Sequence, residues 1–159
     1  LGAQHPDTAS SINNLALLYY AQNKYEEAEP LLQRALAIKE QQLGASHPLT
    51  ANSLNNLASL YYAQGRSEEA VLLFQRVLDI RERTLGSTHP DTAHSLYWLA
   101  SVAHRQQHYE QASLLYERAL AIWEHVLGLQ HPRTNALRAN YVALLRAMGR
   151  EEEARRMEQ

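Results

Sequence analysis

A chain of 159 residues with a formal net charge of -2, from 15 basic and 17 acidic side chains spread along it, has no electrostatic footprint for DNA, RNA or an anionic membrane surface. It contains no cysteine, which excludes a disulfide framework, a thiolate metal site and a cysteine nucleophile. No apolar run approaches the ~18 residues that a membrane-spanning helix needs, and no signal-peptide pattern opens the chain.

The stretch LGAQHPDT at Leu1 comes first in chain order, and it returns as LGASHPLT at Leu43, LGSTHPDT at Leu85 and LGLQHPRT at Leu127, a period of 42 residues. Residues 1–42 and 43–84 are identical at 26 of 42 positions. The chain is therefore read as one solenoid of four units, 1–42, 43–84, 85–126 and a shortened 127–159. Starting at Leu1 in phase with the repeat, it reads as a piece excised from a longer protein, and the lack of cysteine fits the cytoplasm.

Within unit one, Ile12, Leu15, Ala16 and Tyr19 fall at i, i+3, i+4 and i+7, which predicts an α-helix with these four on its buried stripe. After a short break, Ala28, Leu31, Leu32, Ala35, Leu36 and Ile38 predict a second helix, with Glu26, Glu27, Gln33 and Lys39 on its polar side. Each unit is thus helix, tight turn, helix. The turn contains Gly65 in unit two and Gly149 in unit four, where a left-handed residue would close the first helix. Gly44, Gly86 and Gly128 stop the second helices. Pro6, Pro48, Pro90 and Pro132 start the first ones, because proline's fixed φ suits the first helical position and its missing N–H costs nothing there. Asp7 and Asp91 complement the helix dipole. Pro30, inside the second helix of unit one, predicts a kink.

Four histidines in register, His5, His47, His89 and His131, invite a metal reading. Equivalent residues of stacked helix pairs lie on the order of 20 Å apart, far beyond the ~2 Å of a zinc–nitrogen bond. They are read as N-terminal helix caps. His104 and His108 have the i, i+4 spacing of a zinc pair, but Arg105 stands where a metalloprotease has its glutamate, His108 falls in the turn, and no third ligand is evident. No phosphate-loop, dinucleotide or nucleophile-elbow motif occurs, so no enzyme, metal or cofactor is expected.

Leu15, Ala16, Tyr19, Ala28, Leu32 and Ala35 fit the tetratricopeptide pattern, and "HPDTA", "NNLALLYYAQNKYEEAEPLLQRALAI" and the 42-residue period together resemble the repeat of the kinesin light chain family. That resemblance implies an all-α, right-handed superhelical solenoid of antiparallel helix pairs, here about eight helices with the last one short, in which the first helix of each pair lines a concave groove. It also implies a scaffold that binds a protein or peptide partner in extended form. Family grooves take peptides that combine aromatic and acidic residues, with Arg and Lys reading the acids.

On the first helices, a second face lies just off the core stripe: Ser10, Asn13, Leu17 and Tyr20 in unit one, then Asn52, Asn55, Ser59 and Tyr62. Units three and four carry His94, Tyr97, Ser101 and His104, and Ala136, Ala139, Ala143 and Arg146. An Asn amide offers both a donor and an acceptor to a peptide backbone, and tyrosines add amphipathic contact area. The competing reading is that Asn14 and Asn56 bond to a neighbouring helix and that the first Asn of each pair is only solvated. The basic residues nearest this face, Arg105, Arg138 and Arg146, all lie toward the C-terminal end, so local attraction but no general preference for acidic ligands is expected, and Trp98 is read as packing between helices. The alternative function is a spacer or a self-association element joined end to end through apolar faces.

Overall fold

A computed structural model describes residues 2–158 as eight α-helices, with no strand among the described residues. The helices are α1 Pro6–Ala21, α2 Tyr25–Leu43, α3 Pro48–Ala63, α4 Ser67–Leu85, α5 Pro90–Arg105, α6 Tyr109–Leu127, α7 Pro132–Ala147 and α8 Glu151–Met157. They gather into two compact units divided after Thr84.

Local chemistry sets every boundary. Each first helix opens on proline, and the histidine before it is the cap: Nδ1 of His5, His47, His89 and His131 accepts the backbone N–H two residues on, at 3.2, 3.1, 3.1 and 3.1 Å. The glycine three residues before each of these histidines does more than stop a helix. Gly44 turns the chain at φ 97°, and its carbonyl then accepts both the His47 N–H at 3.3 Å and the Thr50 hydroxyl at 2.8 Å. Thr8 and Thr92 repeat the second bond to Gly2 and Gly86, at 2.9 and 2.8 Å. The fourth threonine, Thr134, is fully buried and its hydroxyl has no partner.

The turn inside each pair is a Schellman close, with Lys24, Arg66, His108 and Arg150 N–H groups bonding to the carbonyls of Tyr19, Tyr61, Ala103 and Leu145 at 2.8–2.9 Å. Asn23 and Gln107 take the left-handed conformation that Gly65 and Gly149 take in the other two units. Such a turn reverses the chain, so the two helices of a pair run antiparallel.

In the first unit α1 packs along α2, and α2 on α3. Ala9 and Ile12 of α1 meet Ala35 and Ile38 of α2, and one repeat later Ala51 and Leu54 meet Val77 and Ile80, with Leu36 and Leu73 at the edge. In the second unit α5 packs along α6, α6 on α7 and α7 on the short α8, whose Ala154 is fully buried. Helix α2 runs unbroken through Pro30.

Two expectations about the core need correction. Leu15, expected on the buried stripe, is 44% exposed, although its counterparts Leu57 and Leu99 are buried. Lys39, expected on the polar side of α2, is only 5% exposed. Its counterparts are also buried: Arg81 in α4 and Trp123 in α6.

Candidate peptide-binding face

The residues expected to form a binding face divide into those spent on packing and those left at the surface. In the first unit Asn13 is buried, and its Oδ1 accepts a hydrogen bond from Asn56 Nδ2 at 3.0 Å, tying α1 to α3. The neighbour bond anticipated for the second Asn of each pair is made by Asn56 and not by the exposed Asn14, and Asn13, anticipated as a solvated or groove residue, is its buried acceptor. Asn55, half-buried on α3, has a carboxamide oxygen without a hydrogen-bond partner. Leu17 and Asn52 are exposed, while Tyr20, Ser59 and Tyr62 are half-buried. Ser59 returns its hydroxyl to the Asn55 carbonyl at 2.9 Å. Burial, and then the neighbouring Tyr25 ring at 5.5 Å, push the Tyr20 hydroxyl above the ordinary tyrosine range.

The second helices supply cations to the same face, which the sequence reading missed. Arg81 Nη2 donates to Asn52 Oδ1 at 3.4 Å, and in the second unit the residue at that register, Trp123, sets its ring 5.9 Å from Tyr97 and 6.4 Å from His94. This register thus reaches the candidate row on the first helix of its own pair in α4 and α6, and Lys39 holds the same register in α2. Burial lowers the proton affinity of the Lys39 ammonium below that of an ordinary lysine, and no carboxylate among the described residues pairs with it. Reading Lys39 by helical period put it on the solvated side. The signal that could have found it is the buried tryptophan type at the same place two repeats on.

In the second unit the face is aromatic. His94 Nε2 accepts the Trp98 indole N–H at 3.0 Å, and the Tyr97 hydroxyl accepts from Asn140 Nδ2 at 2.9 Å. Asn140 and Tyr97 stand 43 residues apart, as Asn56 and Asn13 do, so one inter-repeat rung is kept while its acceptor changes from amide to phenol. Ser101 is buried, donating to the Tyr97 carbonyl at 2.9 Å, with its hydroxyl 3.2 Å from that of Tyr116. His104 lies edge-on to Tyr109 and Tyr116 at 5.9 and 6.3 Å, and burial depresses its affinity for a proton. No group of three His, Cys, Asp or Glu side chains among the described residues is placed to hold a metal ion. Arg105 is exposed at the end of α5.

Arg146 Nη2 donates to both carboxylate oxygens of Glu158, at 2.8 and 2.9 Å, and the side chain lines an open trough of about 870 Å³ along α7 with Leu120, Ala139, Val142 and Ala143. Arg138 crosses the same trough to Glu124 at 2.8 Å. No described helix is long and apolar enough to cross a membrane.

The family model for the tetratricopeptide repeat matches residues 7–83, 73–124 and 91–159. Two crystal structures of a putative kinesin light chain with nearly identical TPR-like repeats, from Podosopora anserina, are 32% identical to this chain, cover 99% of it and 74% of their own length, and superpose with TM-scores of 0.82 and 0.80. BtubC (BKLC) from P. vanneervenii matches at 22% identity over 97% of this chain and 65% of its own, with a TM-score of 0.85. Aspartyl phosphate phosphatase F from Bacillus subtilis, at 17% identity over 96% of this chain and 38% of its own, shares the fold with a TM-score of 0.83. No curated protein sequence matches the chain. The 42-residue helix pairs, the recurrent glycine–histidine–threonine knot and these matches together make the chain a member of the tetratricopeptide repeat family, in its kinesin-light-chain-like form.

Proposed function

We propose that this chain is a protein-interaction module that seats an extended peptide on the first-helix face of its repeats, and that the peptide brings a carboxylate to Lys39. Repeats of this family generally act as protein–protein interaction scaffolds. The observation that carries the finer reading is Lys39 itself: a lysine 5% exposed, on the inner side of α2, with no acid to meet it. Partial desolvation lowers the proton affinity of that ammonium, and a carboxylate brought to it offsets the cost. Leu17, Tyr20, Asn52, Asn55, Ser59 and Tyr62 supply contact area around it. In the second unit, His94, Tyr97, His104, Arg105 and Arg146 are the corresponding residues, with aromatic surface in place of the buried cation.

Fluorescence anisotropy against a library of labelled peptides, acidic and neutral, tests this. Acidic members are expected to bind most tightly, with Lys39→Gln reducing their affinity about tenfold, the size of one lost charge-assisted hydrogen bond. Asn55→Ala is expected to weaken acidic and neutral members alike. No selection for acid, together with an unchanged affinity in Lys39→Gln, would remove the reading.

A further inference from the structure

We infer that the histidine caps are an acid-sensitive device confined to two of the four repeats: protonation of His47 and His131 opens the first turns of α3 and α7, while the caps of α1 and α5 stay closed. The chemistry lies in the hydrogen bonds themselves. In all four caps Nδ1 accepts the backbone N–H two residues on, at 3.1–3.2 Å. A ring nitrogen accepts only while it carries no hydrogen. The imidazolium bears N–H groups at both positions, so the added proton turns this acceptor into a donor and the cap bond breaks. The new positive charge also sits at the positive end of a helix, which adds to the cost.

What separates the repeats is the side chain that follows the bonded N–H. At His5 and His89 it is an aspartate, Asp7 or Asp91, whose carboxylate lies 3.5 or 4.0 Å from the same Nδ1. A proton added there meets an acceptor, and a charge-assisted contact takes the place of the lost bond. At His47 the residue is Leu49, and at His131 it is Arg133. The other charged groups at these two loops are already engaged. Arg76 of α4 pairs with Glu40 of α2 at 2.6 Å and donates to the Ala45 carbonyl at 3.2 Å. Arg138 of α7 pairs with Glu124 of α6 at 2.8 Å and donates to the Leu129 carbonyl at 3.4 Å. Neither His47 nor His131 has an ion pair among the described residues, and both are partly exposed, so protons reach them in the folded chain.

Each compact unit thus holds one cap of either kind, with the acid-sensitive one at the corner between its two helix pairs, α2 to α3 in the first and α6 to α7 in the second. The same corner is closed by the His47 N–H on the Gly44 carbonyl at 3.3 Å and by the His131 N–H on the Gly128 carbonyl at 3.4 Å, so loss of the cap loosens the joint as well as the first turn. The contribution of these two caps is present while the rings are neutral and is lost as pH falls through the ordinary imidazole range, about 6.5. The device does not depend on a peptide occupying the first-helix face.

Thermal melts of the whole chain at about pH 7.5 and about pH 5.5, either side of that range, test the inference. Asparagine caps a helix through an oxygen that does not titrate, so it replaces each histidine without removing the cap. The parent is expected to melt lower at the acid pH. The double variant His47→Asn with His131→Asn is expected to lose about 4 °C less than the parent over the same interval, whereas His5→Asn with His89→Asn is expected to lose as much as the parent. Leu49→Asp, which supplies the missing carboxylate and leaves every histidine in place, should shrink the loss, and Asp91→Leu should enlarge it. An equal acid loss in the parent and in the His47 and His131 variant overturns the inference. An equal effect of the His5 and His89 pair, or no effect of Leu49→Asp, overturns the confinement to caps that lack an aspartate.

Discussion

Thr50 and Thr134 stand at the same place two repeats apart, both fully buried, yet only one has a partner: Thr50 donates to the Gly44 carbonyl at 2.8 Å, and the Thr134 hydroxyl meets nothing. Replacing each by valine, which keeps the shape and deletes the hydroxyl, should therefore act in opposite directions. Thr50→Val removes one hydrogen bond worth about 1 kcal/mol, leaving the Gly44 carbonyl only the His47 N–H, and should lower the melting temperature by about 2–4 °C; Thr134→Val removes a desolvated group and should leave stability unchanged or raise it. Parallel thermal melts of the two variants decide. Lys39 follows the same logic with a charge. Burial lowers its proton affinity in the folded chain, so the charged form weighs against folding at every pH below that titration, and the penalty fades as pH rises through it. Lys39→Met should accordingly melt higher than the parent at neutral pH, with the gap narrowing toward alkaline pH. The same substitution should weaken acidic peptides, which separates a residue kept for binding from one kept for folding. The glycines, prolines and histidines of the LGxxHPxT stretch were legible in the sequence because each acts on its own backbone neighbours. The threonine's bond was not, because it reaches back six residues across a turn whose geometry only the folded chain displays.

At the scale of one helix, identical spacing gives different burial according to what lies across it. Leu18 and Leu60 are equivalent by register, and one is 62% exposed while the other is fully buried. Leu60→Ala should cost about 2–5 kcal/mol through lost burial and the cavity left behind, whereas Leu18→Ala should cost less than about 0.5 kcal/mol. Chemical denaturation midpoints of the two variants measure the contrast, and equal losses would mean that α1 is covered in solution. Helix positions, turns and caps could be read from period and punctuation, since these are local. Leu15 could not be placed correctly, because a 3.6-residue period states which residues share a stripe and not whether a neighbour exists to bury it. Asn13 misled for a related reason: its role is set by Asn56 of the next repeat, and an amide on a stripe edge reads the same whether it faces a helix or a ligand.

At the largest scale, the described core clusters each join neighbouring helices. Ala51, Leu54, Val77 and Ile80 form one cluster and Ala9, Ala35 and Ile38 another, both within the first unit, while Tyr116, Tyr141, Ser101 and Ser113 knit the second through paired hydroxyls at 3.2 Å. In an array held this way, stability is approximately a sum of repeat terms and nearest-neighbour terms, so damage to one cluster should stay near it. Ile80→Val deletes one buried methylene, worth about 0.5–1.5 kcal/mol, from the first unit alone. Amide hydrogen exchange resolved along the chain should then quicken about fivefold in α3 and α4, the factor that corresponds to about 1 kcal/mol, while α6 and α7 keep the protection of the parent. Uniform acceleration through all eight helices would show instead that the chain opens as one cooperative body, and would move the seat of cooperativity from the single helix pair to the whole array.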